Sequence, residues 1–245
     1  MGLVKYVSTF LILSLPVLSY GQTVLAPGDP AVEQKWIRAQ EQRLAWYMLK
    51  DTARITIGHI DNQILKQNGK LILVTRVQLK NAPAPWIDTS VAELPTLRPL
   101  YHASYNAQRD MVLYFGASVT GSYRDKTKPD TVTINDPAPA GCFDSNLYPR
   151  LLAWLPLKEG YRQSLQVYDY NPSASGPTAV RIENVKSGVY PSVRAGLRKV
   201  WIVTVSDKIG GSDNTSVYYF DQVDRKLWQQ EIIAGGRRML MAAVE

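Results

Sequence analysis

Residues 143–161 read FDSNLYPRLLAWLPLKEGY, and this stretch decides how the rest of the chain is interpreted. Four apolar side chains recur at the i, i+4, i+7 and i+8 spacing of one helical face: Leu147, Leu151, Trp154 and Leu155. Residues 144–146 are all good N-caps, and Pro156 biases the residue before it away from helical geometry. The stretch therefore predicts a helix of roughly 8 to 11 residues, short enough to need tertiary packing.

Outside this stretch, short apolar runs alternate with polar residues and end at turn-forming residues. The clearest hairpin signal is Asn68-Gly69, which precedes the alternating segment 71–79. Residues 31–44 favour one or two helical turns. Strands are predicted at 44–49, 53–60, 71–79, 86–94, 100–106, 111–116, 118–123, 131–134, 164–170, 179–185, 199–205, 216–221, 226–233 and 239–243. Many short strands at turn-punctuated intervals predict a mainly β (α+β) fold, an antiparallel barrel or sandwich.

The N-terminus has the pattern of a secretory signal peptide. Lys5 supplies a positive charge, residues 6–20 are mostly apolar, and small residues stand at Ser19 and Gly21. The apolar run is shorter than the roughly 18 to 20 residues of a membrane span, although an uncleaved anchor remains an alternative. We therefore expect a signal peptide at 1–21, a leader at 22–40, and one β-rich domain at 41–245. The expected location is the bacterial periplasm, with association with the outer membrane left open, and no transmembrane span in the mature chain.

Composition narrows the class of partner. The single cysteine, Cys142, permits no intramolecular disulfide, which favours a bacterial exported protein over a eukaryotic secreted one. The net charge is +7, but the basic residues are scattered. The densest spots, 124–128 and 237–238, are not interleaved with stacking aromatic residues as in nucleic-acid grooves. We therefore expect no nucleic-acid partner.

Groups that carry catalysis are scarce. The two histidines, His59 and His102, lie apart from other metal-ligating residue types and are interpreted as surface or fully bonded strand residues. Cys142 is interpreted as an inert small hydrophobe. No Gly-x-Ser-x-Gly motif is present. We expect a non-enzyme with no catalytic residues, no bound metal and no cofactor. Several carboxylates could form a glycosidase-like pair, although spacing selects none: Asp144, Asp169, Asp221, Asp224 and Glu231.

The opening stretch also carries a family resemblance. Its matching elements are Phe143-Asp144, Leu151-Leu152, Leu155-Pro156-Leu157 and Gly160-Tyr161. Further matches follow the same order along the chain: Thr96-Leu97 with Pro99, Val193-Arg194-Ala195-Gly196, the aromatic strand 217–221, Arg225-Lys226-Leu227 and Gly235-Gly236. Over roughly residues 41–241 the sequence resembles the exported family called domain of unknown function 3108 (DUF3108).

The resemblance implies a fold and leaves the function open. It implies an incomplete antiparallel β-barrel like the lipoprotein carriers LolA and LolB, with one or two helices over the concave face. Leu147, Leu151, Trp154 and Leu155 would then plug or line a cavity. The implied function is a non-enzymatic envelope protein that binds a lipid, a lipoprotein acyl chain or another amphiphile. The alternatives are an interaction module with a filled core and an envelope protein as partner, and, less favoured, a cell-wall or lipid hydrolase.

Overall fold

The structure is a computed structural model that describes residues 24–137, 140–173 and 176–245, so the predicted signal peptide lies outside the described residues. Within these ranges fifteen strands form one sheet. They are β1 (Gln40–Lys50), β2 (Ala53–Gln67), β3 (Lys70–Leu79), β4 (Trp86–Glu93), β5 (Pro99–Tyr105), β6 (Arg109–Phe115), β7 (Ser118–Asp125), β8 (Thr131–Pro137), β9 (Cys142–Asp144), β10 (Gln163–Asp169), β11 (Gly176–Ser192), β12 (Gly196–Asp207), β13 (Asn214–Asp221), β14 (Leu227–Ala234) and β15 (Arg237–Ala243).

The sheet consists of two antiparallel meanders, β1–β8 and β10–β15, which meet where β1 pairs with β15. Its order is β8-β7-β6-β5-β4-β3-β2-β1-β15-β14-β13-β12-β11-β10-β9, in which β1 pairs with β15. All neighbours are antiparallel except β9, which runs parallel to β10. No ladder joins the outermost strands β8 and β9 in the described chain, so the sheet is open. The mainly β fold and the antiparallel, barrel-like arrangement are confirmed.

The strand predictions agree closely with the structure. Each predicted strand falls on one of β1–β8 or β10–β15, and the Asn68-Gly69 hairpin joins β2 to β3 with φ of 50° and 70° at the two turn residues. Positive φ at both positions is what the preferred two-residue hairpin turn requires. The three-residue strand β9 was not predicted. Of the one or two helical turns expected at 31–44, the structure has a single 3₁₀ turn at Gln34–Trp36, and the chain then enters β1.

The predicted helix is shorter than expected. It comprises α1 (Tyr148–Leu151) and a 3₁₀ turn at Leu152–Trp154, seven residues instead of 8 to 11. The predicted capping residues have tertiary partners: Asp144 belongs to β9, and the Asn146 amide donates to Ser90 Oγ at 2.8 Å. Leu147 occupies the N-cap position without a side-chain cap. The prediction of length was wrong because Asp144 and Asn146 bond to residues outside the segment and neither caps a longer helix.

This helical segment lies inside the protein. Leu147, Leu151, Trp154 and Leu155 are all at most 2% exposed and belong to a core that draws side chains from both meanders. The N-terminal segment reinforces the burial, because the Glu33 backbone N–H donates to the Trp154 carbonyl at 2.8 Å. A layer of helices over the concave face is not confirmed. The described helical structure is the seven-residue segment and two three-residue 3₁₀ turns.

A smaller apolar cluster brings the two edges of the sheet together. It combines side chains of β6–β8 with Cys142 of β9, Tyr168 of β10 and Tyr170. The Tyr168 hydroxyl donates to Asp136 Oδ2 at 2.5 Å and so links β10 to β8. The edges of the open sheet are therefore joined by side chains. Cys142 is a buried free thiol whose pKa is raised to about 11 by burial. Among the described residues, no helix is long and apolar enough to cross a membrane.

Candidate ligand-binding cavity

A cavity of about 460 Å³ lies between the two meanders. It occupies the end of the sheet where β12 finishes and β4, β6 and β13 begin, which we call the cavity end. The opposite end, where β11 turns into β12, we call the hairpin end. The buried segment at 148–154 lies between the meanders, and its first residues, Tyr148 and Pro149, contribute to the cavity wall.

One wall is built from inward-facing positions of β4 and β5 that are polar instead of apolar. Asp88 pairs across the strands with Ser104, and Ser90 pairs with His102; all four are buried. Trp86 Nε1 donates to both Asp88 Oδ1 (2.8 Å) and Ser104 Oγ (3.0 Å). Burying polar groups is costly unless they find hydrogen-bond partners, and here neighbouring strands supply several of them.

The centre of this wall is a buried ion pair. His102 Nδ1 lies 2.8 Å from Asp144 Oδ1, with side-chain exposures of 8% and 2%. Burial acts to lower the pKa of His102, but the Asp144 carboxylate, together with Asp88 and Asp169, favours the charged form, and the pKa is raised. His102 Nε2 and Asp144 Oδ2 have no hydrogen-bond partner within the described chain. His102 is therefore neither at the surface nor fully bonded, contrary to the sequence-based expectation. His59, by contrast, is partly exposed beside Asp61.

The opposite wall is a chain of hydrogen bonds between α1 and β12–β13. The Tyr148 hydroxyl donates to Asp207 Oδ2 at 2.8 Å, and the Tyr218 hydroxyl donates to the Tyr148 oxygen at 3.4 Å. Asn214 Nδ2 donates to Asp207 Oδ1 at 2.8 Å. Burial raises the pKa of Tyr148 well above its usual value and that of Tyr218 to about 12, so both phenols keep their protons at neutral pH.

The cavity is lined by acidic side chains, although the chain as a whole is basic. The protein carries a net charge of +7, yet Asp88, Asp169 and Asp207 line this cavity, and none has a salt-bridge partner in the described ranges. Burial raises the pKa of Asp88. The cations that line the wall are His102, which is paired with Asp144, and Arg109, whose guanidinium lies 5.8 Å from the Trp86 ring centroid. The cavity is thus rich in acceptors.

A second concavity of about 680 Å³ adjoins the cavity. Most of its lining residues are apolar, including Val77, Leu79 and Ala82 at the end of β3 and in the following loop. Polar residues such as Gln108 and Asp125 complete the lining. Trp86 and Arg109 belong to the linings of both spaces. We call this second space the groove. An acceptor-rich cavity and a largely apolar groove therefore meet at one aromatic–cation pair.

The residues predicted to line a cavity have a different environment in the structure. Leu147, Leu151, Trp154 and Leu155 pack in the apolar core, and none of them lines the cavity or the groove. Their role as ligand contacts stays a prediction. Asp88, Asp207 and Tyr148 line the cavity but were not predicted as site residues. The sequence feature that could have indicated the cavity is the polar residues at inward positions of β4 and β5. Among the described residues, no group of three or more His, Cys, Asp or Glu side chains is arranged to hold a metal ion.

Comparison with known proteins yields a family and a fold. A family model described as "Protein of unknown function (DUF3108)" matches residues 43–242. The crystal structure of a β-barrel-like protein of domain of unknown function DUF1849 from Brucella abortus is similar, with a TM-score of 0.53 and 12% identity. The match covers 85% of this chain and 97% of that chain, and at this identity it indicates the fold alone. A search of curated proteins found no match.

Proposed function

This chain belongs to the DUF3108 family, and we propose that it is a non-enzymatic protein of the bacterial cell envelope that binds an amphiphile at the cavity end. The observation that carries the proposal is the junction of two unlike spaces. An acceptor-rich cavity of about 460 Å³ and a largely apolar groove of about 680 Å³ share Trp86 and Arg109. Both volumes fall in the range of about 300–1,000 Å³ that is typical of small-molecule sites.

The lining of the two spaces supports a ligand with two unlike parts. A polar headgroup with hydrogen-bond donors matches the carboxylates of Asp88, Asp169 and Asp207, which can accept bonds but, when ionised, cannot donate them. An acyl chain or another apolar group matches Val77, Leu79 and Ala82 of the groove. Trp86 supplies an apolar ring and a polar N–H, which suits the boundary between the two parts.

A filled-core interaction module is a second candidate, because one observation favours it. Leu151 and Trp154 are almost completely buried in a core of apolar side chains. On that reading the protein would act through an envelope protein partner. The amphiphile proposal differs in that it relies on the cavity end, where the interior is not filled.

A hydrolase on cell-wall glycan or lipid is a third candidate. Several carboxylates converge on one polar cavity, and burial raises the pKa of Asp88, as a general acid requires. Turnover of a glycan or lipid substrate that is lost in Asp88→Asn would support it. Binding without turnover would favour the non-enzymatic proposal.

The proposed compartment depends on the N-terminal sequence. We propose a signal peptide at 1–21, a leader at 22–40 and a β-rich domain at 41–245, with export through the signal peptide to the periplasm. Cell fractionation with detection of the mature N-terminus would test this. Recovery of the uncleaved chain in the cytoplasm would contradict it.

The binding proposal can be tested with an amphiphile whose fluorescence rises in apolar surroundings, such as a dansyl-labelled fatty amine. We expect saturable 1:1 binding. Ala82→Trp, which places a large side chain in the groove, should weaken it at least tenfold. Ala117→Trp is a matched control, because Ala117 is an exposed residue in the turn between β6 and β7. Absence of saturable binding, or equal binding by both variants, would refute the proposal.

A further inference from the structure

The turn between β11 and β12 exposes apolar side chains at the hairpin end. Val193 is 92% exposed, Leu197 is 78% exposed and Val189 is 57% exposed. In the register of this hairpin Pro191 lies opposite Leu197, and Val189 lies opposite Lys199. Cross-strand partners and alternate residues share a face of a hairpin, so Val189, Pro191 and Leu197 lie on one face. Val193 follows in the turn at the end of that face, and we call this exposed apolar surface the stripe.

The other face of the same hairpin is held in place. The Tyr190 ring stacks on Trp228 with centroids 5.4 Å apart, and Arg198 Nε donates to Asp221 Oδ2 at 2.8 Å. At the turn itself, the Val193 backbone N–H donates to Glu245 Oε2 at 2.6 Å. These contacts fix one face of the hairpin against the protein. The opposite face, which carries the stripe, is therefore directed to solvent.

The two strands of the hairpin carry basic side chains, while the Glu245 carboxylate bonds to the turn between them. Residues 186–199 contain four basic residues and no acidic one. Arg198 is paired with Asp221, whereas Lys186, Arg194 and Lys199 have no salt-bridge partner in the described part of the chain. The neighbouring turn adds Val223, which is 72% exposed; it lies beside the hairpin because the Gln222 backbone N–H donates to the Lys199 carbonyl at 3.0 Å.

We propose that this hairpin docks on an anionic lipid surface, with Val193 and Leu197 inserted among the headgroups and Arg194 and Lys199 facing their negative charges. Exposed apolar residues mark interaction sites when they are grouped, and basic residues beside them match the negative potential of anionic lipids. The surface lies at the opposite end of the sheet from the cavity, so this proposal holds whether or not the cavity binds a ligand.

Flotation with lipid vesicles tests the proposal, using the full-length protein as purified from the cells that produce it. Vesicles of phosphatidylethanolamine with one-third phosphatidylglycerol should carry the protein upward, and raising the salt concentration should weaken the binding. Val193→Asp combined with Leu197→Asp should reduce the vesicle-bound fraction at least tenfold. Ile233→Asp, which changes an exposed apolar residue near the end of β14 at the cavity end, should leave it unchanged.

Two further measurements keep the outcome unambiguous. Circular dichroism and thermal unfolding should be the same for the double variant and the wild type, since the changed side chains are exposed. Failure of the wild type to float, or equal flotation of the double variant, would overturn the proposal. It would also be overturned if the wild type were a dimer that the double variant converts to monomers without any vesicle binding, because the stripe would then join copies of the chain.

Discussion

Asp144→Asn isolates the electrostatic part of the buried His102–Asp144 pair. The substitution keeps the size of the side chain and an oxygen that can accept the His102 Nδ1–H bond, but it removes the negative charge. Both partners are more than nine-tenths buried, at 8% and 2% exposure. Removing one member of a buried ion pair typically costs about 3–5 kcal/mol, and the retained hydrogen bond favours the lower end, about 3 kcal/mol. For a chain of this size that is a drop of roughly 6–12 °C in Tm.

The cost should depend on pH with a definite sign. The folded-state pKa of His102 is raised above the ordinary histidine value of 6.5. Its contribution to stability is therefore fully present below the unfolded-state pKa and is lost as the pH rises through the raised folded-state pKa. The difference between wild type and Asp144→Asn should be largest near pH 5.5 and smaller at pH 9.

Urea unfolding followed by tryptophan fluorescence at both pH values is the assay. Asp61→Asn is a suitable control, since its pair with Arg43 is exposed (33% and 56%) and should contribute at most about 1 kcal/mol. A loss for Asp144→Asn no larger than that of the control, or a loss that grows with pH, would refute this account of the site.

Two other substitutions test the packing and the opposite wall. Leu151→Ala removes a fully buried side chain of the helical segment and should lower the free energy of unfolding by about 2–5 kcal/mol; a loss below 1 kcal/mol in urea unfolding would show that the segment is not core. Tyr148→Phe removes a donor to Asp207 and should cost about 1–3 kcal/mol, measured in the same way; a neutral result would mean that this hydrogen bond is dispensable.

The strands could be predicted from the sequence because their signal is local. Alternation at 71–79 and the Asn68-Gly69 turn are complete within a few residues, and the structure has β3 and its hairpin there. The helix length was not predictable from Asp144 and Asn146, because both bond to distant strands instead of capping. Local propensity cannot show such competing partners.

The site was harder to predict for the same reason. His102, Asp144 and Asp207 come from three strands far apart in the chain, and no spacing rule links them. Their convergence depends on the order of the whole sheet, in which β9 returns beside β10 and places Asp144 against β5. The polar residues at inward positions of β4 and β5 are a local sign of the cavity. They can be recognised as such only when it is known which face of these strands points inward.

Native mass spectrometry of the protein purified from its own envelope would show whether an amphiphile occupies the cavity end. We expect a stoichiometric non-covalent adduct with the mass of an amphiphile, present in the wild type and in Ala117→Trp and lost in Ala82→Trp. A wild-type protein that is free of adducts, and remains so after incubation with a total envelope lipid extract, would contradict the amphiphile proposal.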